Sequence, residues 1–323
     1  FLWQEGHTVH ATKEEAEKEV MQQLFEYVDL IENYMAIPVI AGKKTDKEKF
    51  AGADYTTTVE AFMPDGKALQ MATSHLLGQN FAKVFNISFL DKDEKEKYAW
   101  QTSWGLSTRT IGAVVMVHGD DKGLVLPPKI APIQVVIIPI VFKDKKEQII
   151  TKSKEIAKKL KAKNYNVEID ERDGYTPGWK FNEWELKGVP LRIEIGPKDM
   201  ESDQLVLVRR DTNEKITIKI EDLDKKVEQI LNDIQENLLH KSKDFLMKNI
   251  VEVRNFNDFL NVIKNKKMPK ALFCAQSECE DIIKEKTEGA TCRCIPFEQK
   301  PAHGKCVQCG KEAKFWAVFG KGY

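Results

Sequence analysis

All six cysteines of this 323-residue chain fall between Cys274 and Cys309, and residues 1–273 contain none. A secreted, disulfide-stapled protein spreads its cysteines along the chain. One cluster beside thiol-free sequence points instead to a metal site in a reducing compartment. Cys274 and Cys279 form one close pair. Cys306 and Cys309 form another in C-V-Q-C-G-K, where Gly310 permits the backbone curl that turns both sulfurs toward one ion. Two such pairs can converge as a tetrahedral four-cysteine zinc site with no open position, which is a structural rather than a catalytic arrangement. Cys292 and Cys294 are competitors, although one intervening residue is tight for two ligands on a single zinc. His303 is an outside candidate, and unliganded reduced thiols are the alternative to any metal.

The rest of the chain must therefore build ordinary cores. Apolar residues make up 42% and charged residues 31%, which suits two or three solvated domains at this length. Fifty basic side chains balance fifty acidic ones, so any basic face is offset by acidic regions elsewhere. No run approaches the roughly 18 apolar residues of a membrane span, and no internal repeat or low-complexity tract is present. The chain opens FLWQEGHTVH, without Met. It reads as cut from a longer protein and carries no information on targeting.

Three blocks are expected: 1–130, 131–235 and 236–323. In the first, a helix over about 12–35 starts at a Thr12/Glu15 capping box and places Val20, Leu24, Val28 and Ile31 on one face. Residues 55–63, a P-D-G turn and K-A-L-Q-M-A-T-S-H predict an antiparallel hairpin. Residues 97–107 predict a strand, and T-R-T-I-G-A-V-V-M-V-H-G a buried helix ending at Gly119. The second block opens on the buried-strand run Ile133–Phe142. An amphipathic helix with Ile149, Ile156 and Leu160 follows, then further strands and a long helix over about 222–248, giving a small α/β domain with a mixed sheet. The third block has short helices between cysteine-bearing turns.

Several polar residues sit where strands should be. Trp3, Glu5 and His7 alternate and share one strand face. By the same alternation Gln70 pairs with Ser74, and Thr73 with His75, on opposite faces. A polar, aromatic-lined sheet face is usual for a ligand pocket and unusual for a core; a satisfied core histidine is the bland alternative for His75. Arg109 lies at a strand end and opens a helix, where unpaired N–H groups and the guanidinium together suit a phosphate. G-Y-T-P-G-W-K-F-N-E-W-E-L-K-G-V-P-L-R-I-E-I-G-P-K-D (174–199) interleaves aromatics with charge, as nucleic-acid faces do; a solvated edge with core aromatics fits equally. Walker-type, H-E-x-x-H and G-x-S-x-G motifs are all missing, which removes the main support for those enzyme classes.

FLWQEGH, KFAGADYTTTVEAF, TSHLLGQNF, SWGLSTRTIG, MVHGDDKGLVLPP, PGWKFNEWELKGVPLRIEIGPKD and the terminal FGKGY occur in order. Together they resemble the eukaryotic/archaeal-type prolyl-tRNA synthetases. That resemblance implies a multidomain α+β and α/β protein. Its parts would be a class II antiparallel catalytic sheet over 1–130 (from the end of motif 2 through motif 3), an α/β anticodon-binding domain over 131–235, and a C-terminal zinc-binding α+β domain over 236–323. The implied reaction is ATP-dependent activation of L-proline to prolyl-adenylate, then transfer to the 3′ end of tRNA(Pro), with Mg²⁺ accompanying ATP and a structural Zn²⁺. A cytoplasmic homodimer is implied, with no membrane partner.

The resemblance also implies site roles. Phe1 stacks on adenine. Trp3, Glu5, His7, Phe50, His75, Trp104 and Gly105 form the proline pocket, with Trp3, Phe50 and Trp104 walling the ring. Gln70, Thr73 and Ser107 contact ATP, Gln70 also lies near the metal, and Arg109 takes the terminal phosphates. Glu185, Arg192 and Lys215 meet the anticodon, and Cys274, Cys279, Cys306 and Cys309 hold zinc. Motif 1 and the motif 2 arginine and glutamate are expected upstream of Phe1. Only about a hundred residues separate Phe1 from Arg109, so the editing insertion of bacterial-type relatives is not expected there. The alternatives are a non-catalytic tRNA-binding paralogue that keeps fold and zinc site, and another class II synthetase for a small amino acid.

Overall fold

The computed structural model describes residues 2–141 and 145–323. Phe1 and Phe142 therefore lie outside the described residues. The chain forms two compact units: Phe1–Asn33, Ile37–Ala113 and Lys243–Tyr323 in the first, Tyr34–Ala36 and Val114–Ser242 in the second.

In chain order the first unit begins with β1 (Trp3–His10), α1 (Lys13–Asp29), β2 (Ile40–Lys43), β3 (Tyr55–Phe62), β4 (Ala68–Gly78) and α2 (Asn80–Phe85). The small hairpin β5 (Ser88–Leu90) and β6 (Glu96–Tyr98), then β7 (Trp100–Ser107) and α3 (Arg109–His118) follow. Thr12 caps α1 as expected: its hydroxyl accepts the Glu15 N–H while the Glu15 carboxylate accepts the Thr12 N–H. Ala16, Val20, Leu24, Tyr27 and Ile31 are buried, and the α-helical pattern ends at Asp29, widening to a π turn over Leu30–Tyr34. The apolar α3 departs from expectation. Ala113 and Val114 are buried, but Ile111, Val115 and Met116 face outward, so the helix is half-buried.

The second unit holds β8 (Val135–Pro139), α4 (Lys146–Lys161), β9 (Val167–Ile169), α5 (Pro177–Leu186), β10 (Leu191–Ile195), α6 (Pro197–Glu201), β11 (Gln204–Arg209), β12 (Lys215–Lys219) and most of α7 (Leu223–Asn249). Its sheet runs β12-β11-β10-β8-β9, parallel at β9/β8/β10 and antiparallel beyond. This is the expected mixed sheet. Ile149, Ile156 and Leu160 of α4 join Val227, Ile230, Leu231 and Ile234 of α7 and the strands' apolar residues in one core.

The first unit resumes with β13 (Ile250–Val253), α8 (Phe256–Lys264), β14 (Met268–Phe273), α9 (Ser277–Lys286), β15 (Ala290–Pro296) and β16 (Phe315–Lys321). These strands extend the first sheet: the order is β1-β7-β4-β3-β2-β15-β16-β14-β13, with β15 joined to β2 through Ile295–Lys43 and Pro296–Gly42. Gly42 is required at that seam, because a Cβ there would sit 2.4 Å from the Ile295 carbonyl oxygen. A buried ion cluster spans the same place. The fully buried Glu60 accepts from Lys44 at 2.7 Å, from the Thr58 hydroxyl at 2.8 Å, and from two Arg293 nitrogens at 3.0 and 2.9 Å. Full pairing is what makes a buried carboxylate tolerable.

Candidate active site and cysteine cluster

Strand register decides which side chains meet. Across β1 and β7, Trp3, Glu5 and His7 pair with Ser107, Gly105 and Ser103; across β7 and β4, Gly105 and Ser103 pair with Thr73 and His75. These residues share one face. Gln70 joins them because β4 carries a bulge: Val59 pairs with Ala72 and Glu60 with Gln70, leaving Met71 as the extra residue. Strict alternation placed Gln70 with Ser74; the bulge moves Gln70 to the face of Thr73 and His75, while Ser74 is buried on the other. A cavity of about 440 Å³ results, lined by Trp3, Glu5, His7, Phe50, Gln70, Thr73, His75 and Gly105, together with Glu48, Lys49, Thr56, Ser103 and Trp104.

Trp104 borders this cavity, but it pairs with Gly6, and its indole lies so close that a Cβ on Gly6 would sit 2.2 Å from it. Alternation puts that ring opposite Glu5 and His7. The aromatic wall is therefore Trp3 and Phe50, both half-exposed. Sequence reasoning missed Thr56, Ser103, Glu48 and Lys49. The first two were detectable as cross-strand partners of His75. Glu48 and Lys49 stand on a loop, where no periodicity marks them.

The His75 ring is packed against Phe50, with centroids 5.0 Å apart, and its Nδ1 is hydrogen-bonded at 2.9 Å to the Thr56 hydroxyl, which also accepts the Phe50 N–H. Burial pushes the imidazole down to about 4. The folded ring thus binds its proton less tightly than an unfolded histidine near 6.5. Its contribution to stability is full above about pH 6.5 and drains away as pH falls toward 4. A histidine-resolved NMR titration should place the His75 midpoint near 4; a midpoint between 6 and 7 would contradict this.

At the sheet's end the Ser107 hydroxyl accepts the Arg109 N–H at 3.3 Å, and the Thr108 and Ile111 N–H groups are taken by Leu2 O and Thr108 O, each at 3.1 Å. Two of the first three N–H groups of α3, those of Arg109 and Ile111, thus already have acceptors, one of them the hydroxyl of the buried Ser107. What remains available is the exposed Arg109 guanidinium, which donates to the Gln70 carbonyl at 3.2 Å and so stands beside the cavity.

The cysteines separate cleanly. Cys274, Cys279, Cys306 and Cys309 bring all four Sγ atoms within 4.8 Å of one another, with Cys274 3.5 Å from Cys279 and 3.8 Å from Cys309. A tetrahedral zinc-thiolate site with Zn–S near 2.3 Å spaces its sulfurs about 3.8 Å apart, so these four residues fit the ion. Gly310, at φ +70, supplies the left-handed turn after Cys309. Cys292 and Cys294 are buried on β15 outside this cluster, and His303 is not among its members. Burial pushes the Cys274 and Cys279 thiols up; at Cys309 burial is outweighed by the Lys311 N–H and the neighbouring thiols, which bring it down.

In the second unit the aromatic-rich stretch includes helix α5. Thr176 caps it, Trp184 turns inward, and exposed Tyr175 and Trp179 stack at 4.1 Å with Arg172 over both rings. Glu185, Arg192 and Lys215 come together. Arg192 lies over the Phe181 ring and bonds Glu185 at 3.1 Å and Glu194 at 3.0 Å, and Lys215 reaches Glu194 at 3.5 Å. Arg192 is buried, whereas the Lys215 side chain is 61% exposed.

Three family matches cover these parts. Residues 1–118 match the tRNA synthetase class II core domain (G, H, P, S and T), 134–230 the anticodon binding domain, and 256–323 the prolyl-tRNA synthetase C-terminal domain. The chain is 53% identical over 96% of its length to a proline--tRNA ligase of Natranaerobius thermophilus, covering 64% of that protein. It is 52% identical over its whole length to the proline--tRNA ligases of Lachnoclostridium phytofermentans and Ruminiclostridium cellulolyticum, covering 67% of each. The chain belongs to the prolyl-tRNA synthetases. It thus carries a class II catalytic core, an anticodon-binding domain and the family's C-terminal domain, and spans about two thirds of the length of these relatives. All three relatives are bacterial.

Proposed function

We propose that the protein carrying this chain activates L-proline with ATP and transfers the prolyl group to the 3′ end of tRNA(Pro). One observation carries the reading: a single cavity collects Trp3, Glu5, His7, Phe50, Gln70, Thr73 and His75 beside Arg109, in a chain about half identical to proline--tRNA ligases. In the first step a proline carboxylate oxygen attacks the α-phosphorus of ATP and pyrophosphate leaves. That step needs positioning and charge stabilisation rather than a protein nucleophile. Trp3 and Phe50 flank the pyrrolidine ring, and Glu5 accepts from the imino group. Neutral His75 offers a hydrogen bond without adding charge. Gly105 leaves the cavity floor open, and Trp104 supports β1 from behind through Gly6. Gln70 and Thr73 contact ATP, Arg109 holds its terminal phosphates, Ser107 aims Arg109, and Phe1 covers the adenine. Mg²⁺ brought with ATP neutralises phosphate charge, and Gln70 is an oxygen donor of the type it takes.

Functionally the chain divides into a catalytic part (1–130), an anticodon-binding part (131–235) and a zinc-binding part (236–323) with Cys274, Cys279, Cys306 and Cys309 as ligands. The eukaryotic/archaeal-type assignment is supported by the ordered motifs that carry the resemblance and by a class II core match that runs through residue 118, while the three named relatives are bacterial. A cytoplasmic homodimer completes the proposal. Among the described residues no helix is long and apolar enough to cross a membrane.

Proline-dependent ATP–pyrophosphate exchange by the full-length protein tests the reading. Exchange with proline supports it, no exchange refutes it, and faster exchange with threonine or glycine points to a different class II activity. For the anticodon, Lys215 is an exposed cation beside the Arg192–Glu194 pair. Lys215→Ala should weaken tRNA binding and flatten its log-affinity against log-salt slope by about one. An unchanged slope removes Lys215 from the interface.

A further inference from the structure

Residues 44–54 link β2 to β3 and supply Glu48, Lys49 and Phe50 to the cavity. The loop has little core of its own. Its shape depends on Thr45, whose carbonyl accepts the Glu48 and Lys49 N–H groups at 3.1 and 2.9 Å and whose hydroxyl also accepts the Glu48 N–H at 3.3 Å. Thr45 is 1% exposed, an unusual burial for a loop threonine. The reason lies some 235 residues away in the chain: the Thr45 hydroxyl donates to Glu280 Oε2 at 3.1 Å, and Glu280 is itself buried. Lys47 pairs with Asp281, the next residue on α9. On the other side of Thr45, Lys44 donates to the Arg293 carbonyl of β15 at 2.7 Å and joins the Glu60 cluster. Three successive anchors thus fasten the loop's first turn to α9 and β15. At its far end the loop is held by the catalytic part of the unit: the Phe50 N–H donates to the Thr56 hydroxyl at 2.9 Å, the Asp54 N–H to the Leu76 carbonyl at 2.8 Å, and the Asn80 amide of α2 to the Gly52 carbonyl at 2.9 Å, with the Phe50 ring 6.4 Å from that of Phe81.

We propose that Thr45 is a positioning residue for the amino-acid pocket, and that its buried hydrogen bond to Glu280 of α9 sets where Phe50 stands against His75. The C-terminal domain is then part of the substrate site's rigidity although no residue of it lines the cavity. This rests on the reading of the cavity as the proline pocket. A side chain misplaced on the wall costs substrate affinity first, because the phosphate-facing Gln70 and Arg109 stand on β4 and α3, away from the loop.

The test is pyrophosphate-exchange kinetics of the full-length protein with proline and ATP varied in turn. Thr45→Val keeps the shape and removes the hydroxyl. It should raise KM for proline about five- to tenfold, the effect of losing one buried hydrogen bond, with kcat and KM for ATP within about twofold of the parent. Thr45→Ser, which keeps the hydroxyl, should restore KM for proline. An unchanged KM for proline in Thr45→Val, or an equal rise for ATP, overturns the proposal. Should Thr45→Val not fold, Lys47→Ala and Asp281→Ala give the same readout: each raises KM for proline and the double variant adds little, whereas no rise in either overturns it. Failure of the parent to exchange with proline counts against the functional reading, while normal exchange with indifferent variants counts against this proposal alone.

Discussion

Replacing Arg109 with alanine lowers proline-dependent pyrophosphate exchange by about 10²–10³-fold, the range lost when a preorganised charge facing a transition state is removed. The fold should survive. The guanidinium is exposed and, among the described residues, donates only to the Gln70 carbonyl at 3.2 Å. The expectation is sharper than sequence alone allowed, because the Arg109 and Ile111 N–H groups of α3, which could have shared the task, already have partners. Circular dichroism and thermal melting should match the parent. Arg109→Lys keeps charge but loses the planar fork, so it should recover only part of the rate. Full exchange activity in Arg109→Ala would refute the phosphate role.

The second large effect is on stability. Cys306→Ser removes one of four sulfurs that meet within 4.8 Å, and bound zinc should fall from about one per chain to a small fraction of that. Because the four thiols share a core with Phe259, Phe273 and Phe319, losing the ion loosens that core, and several kcal/mol of folding free energy should go with it. Metal analysis and chemical denaturation of purified protein measure both. Cys294→Ala is the discriminating control. Cys294 is buried outside the cluster, so its replacement should cost packing but leave zinc content unchanged. Equal metal loss in both variants would sink the four-cysteine assignment.

The long amphipathic segments were legible because burial follows helical spacing: α1, α4 and α7 appear where Val20, Ile149 and Val227 predict them, and the Thr12 cap is a purely local device. The hairpin of β3 and β4 was legible from its turn. What alternation could not supply was the phase of β4. One extra residue at Met71 reverses every face assignment on its N-terminal side, and nothing local marks it, because a bulge is settled by pairing with a distant strand. Trp104 illustrates the converse. A tryptophan beside a pocket glycine invites a role as a wall, yet its ring's side is decided by its partner Gly6, nearly a hundred residues earlier. The union of β2 with β15 was likewise invisible, since strand runs do not announce partners across an intervening unit.

That union bears on how the chain comes off the ribosome. β2 and its partner β15 lie about 250 residues apart in sequence, with the Val114–Ser242 part of the second unit translated between them. Until β15 emerges, β2 presents an open row of backbone donors and acceptors, held on one side by β3 and bare on the other. At common elongation speeds that interval lasts roughly ten seconds to a minute, long enough for strand edges on neighbouring nascent chains to find one another. The two-residue seam at Lys43 and Gly42 limits the hazard: so short an edge makes a poor template, and the buried Glu60 beside it waits for Arg293 to complete its pairing.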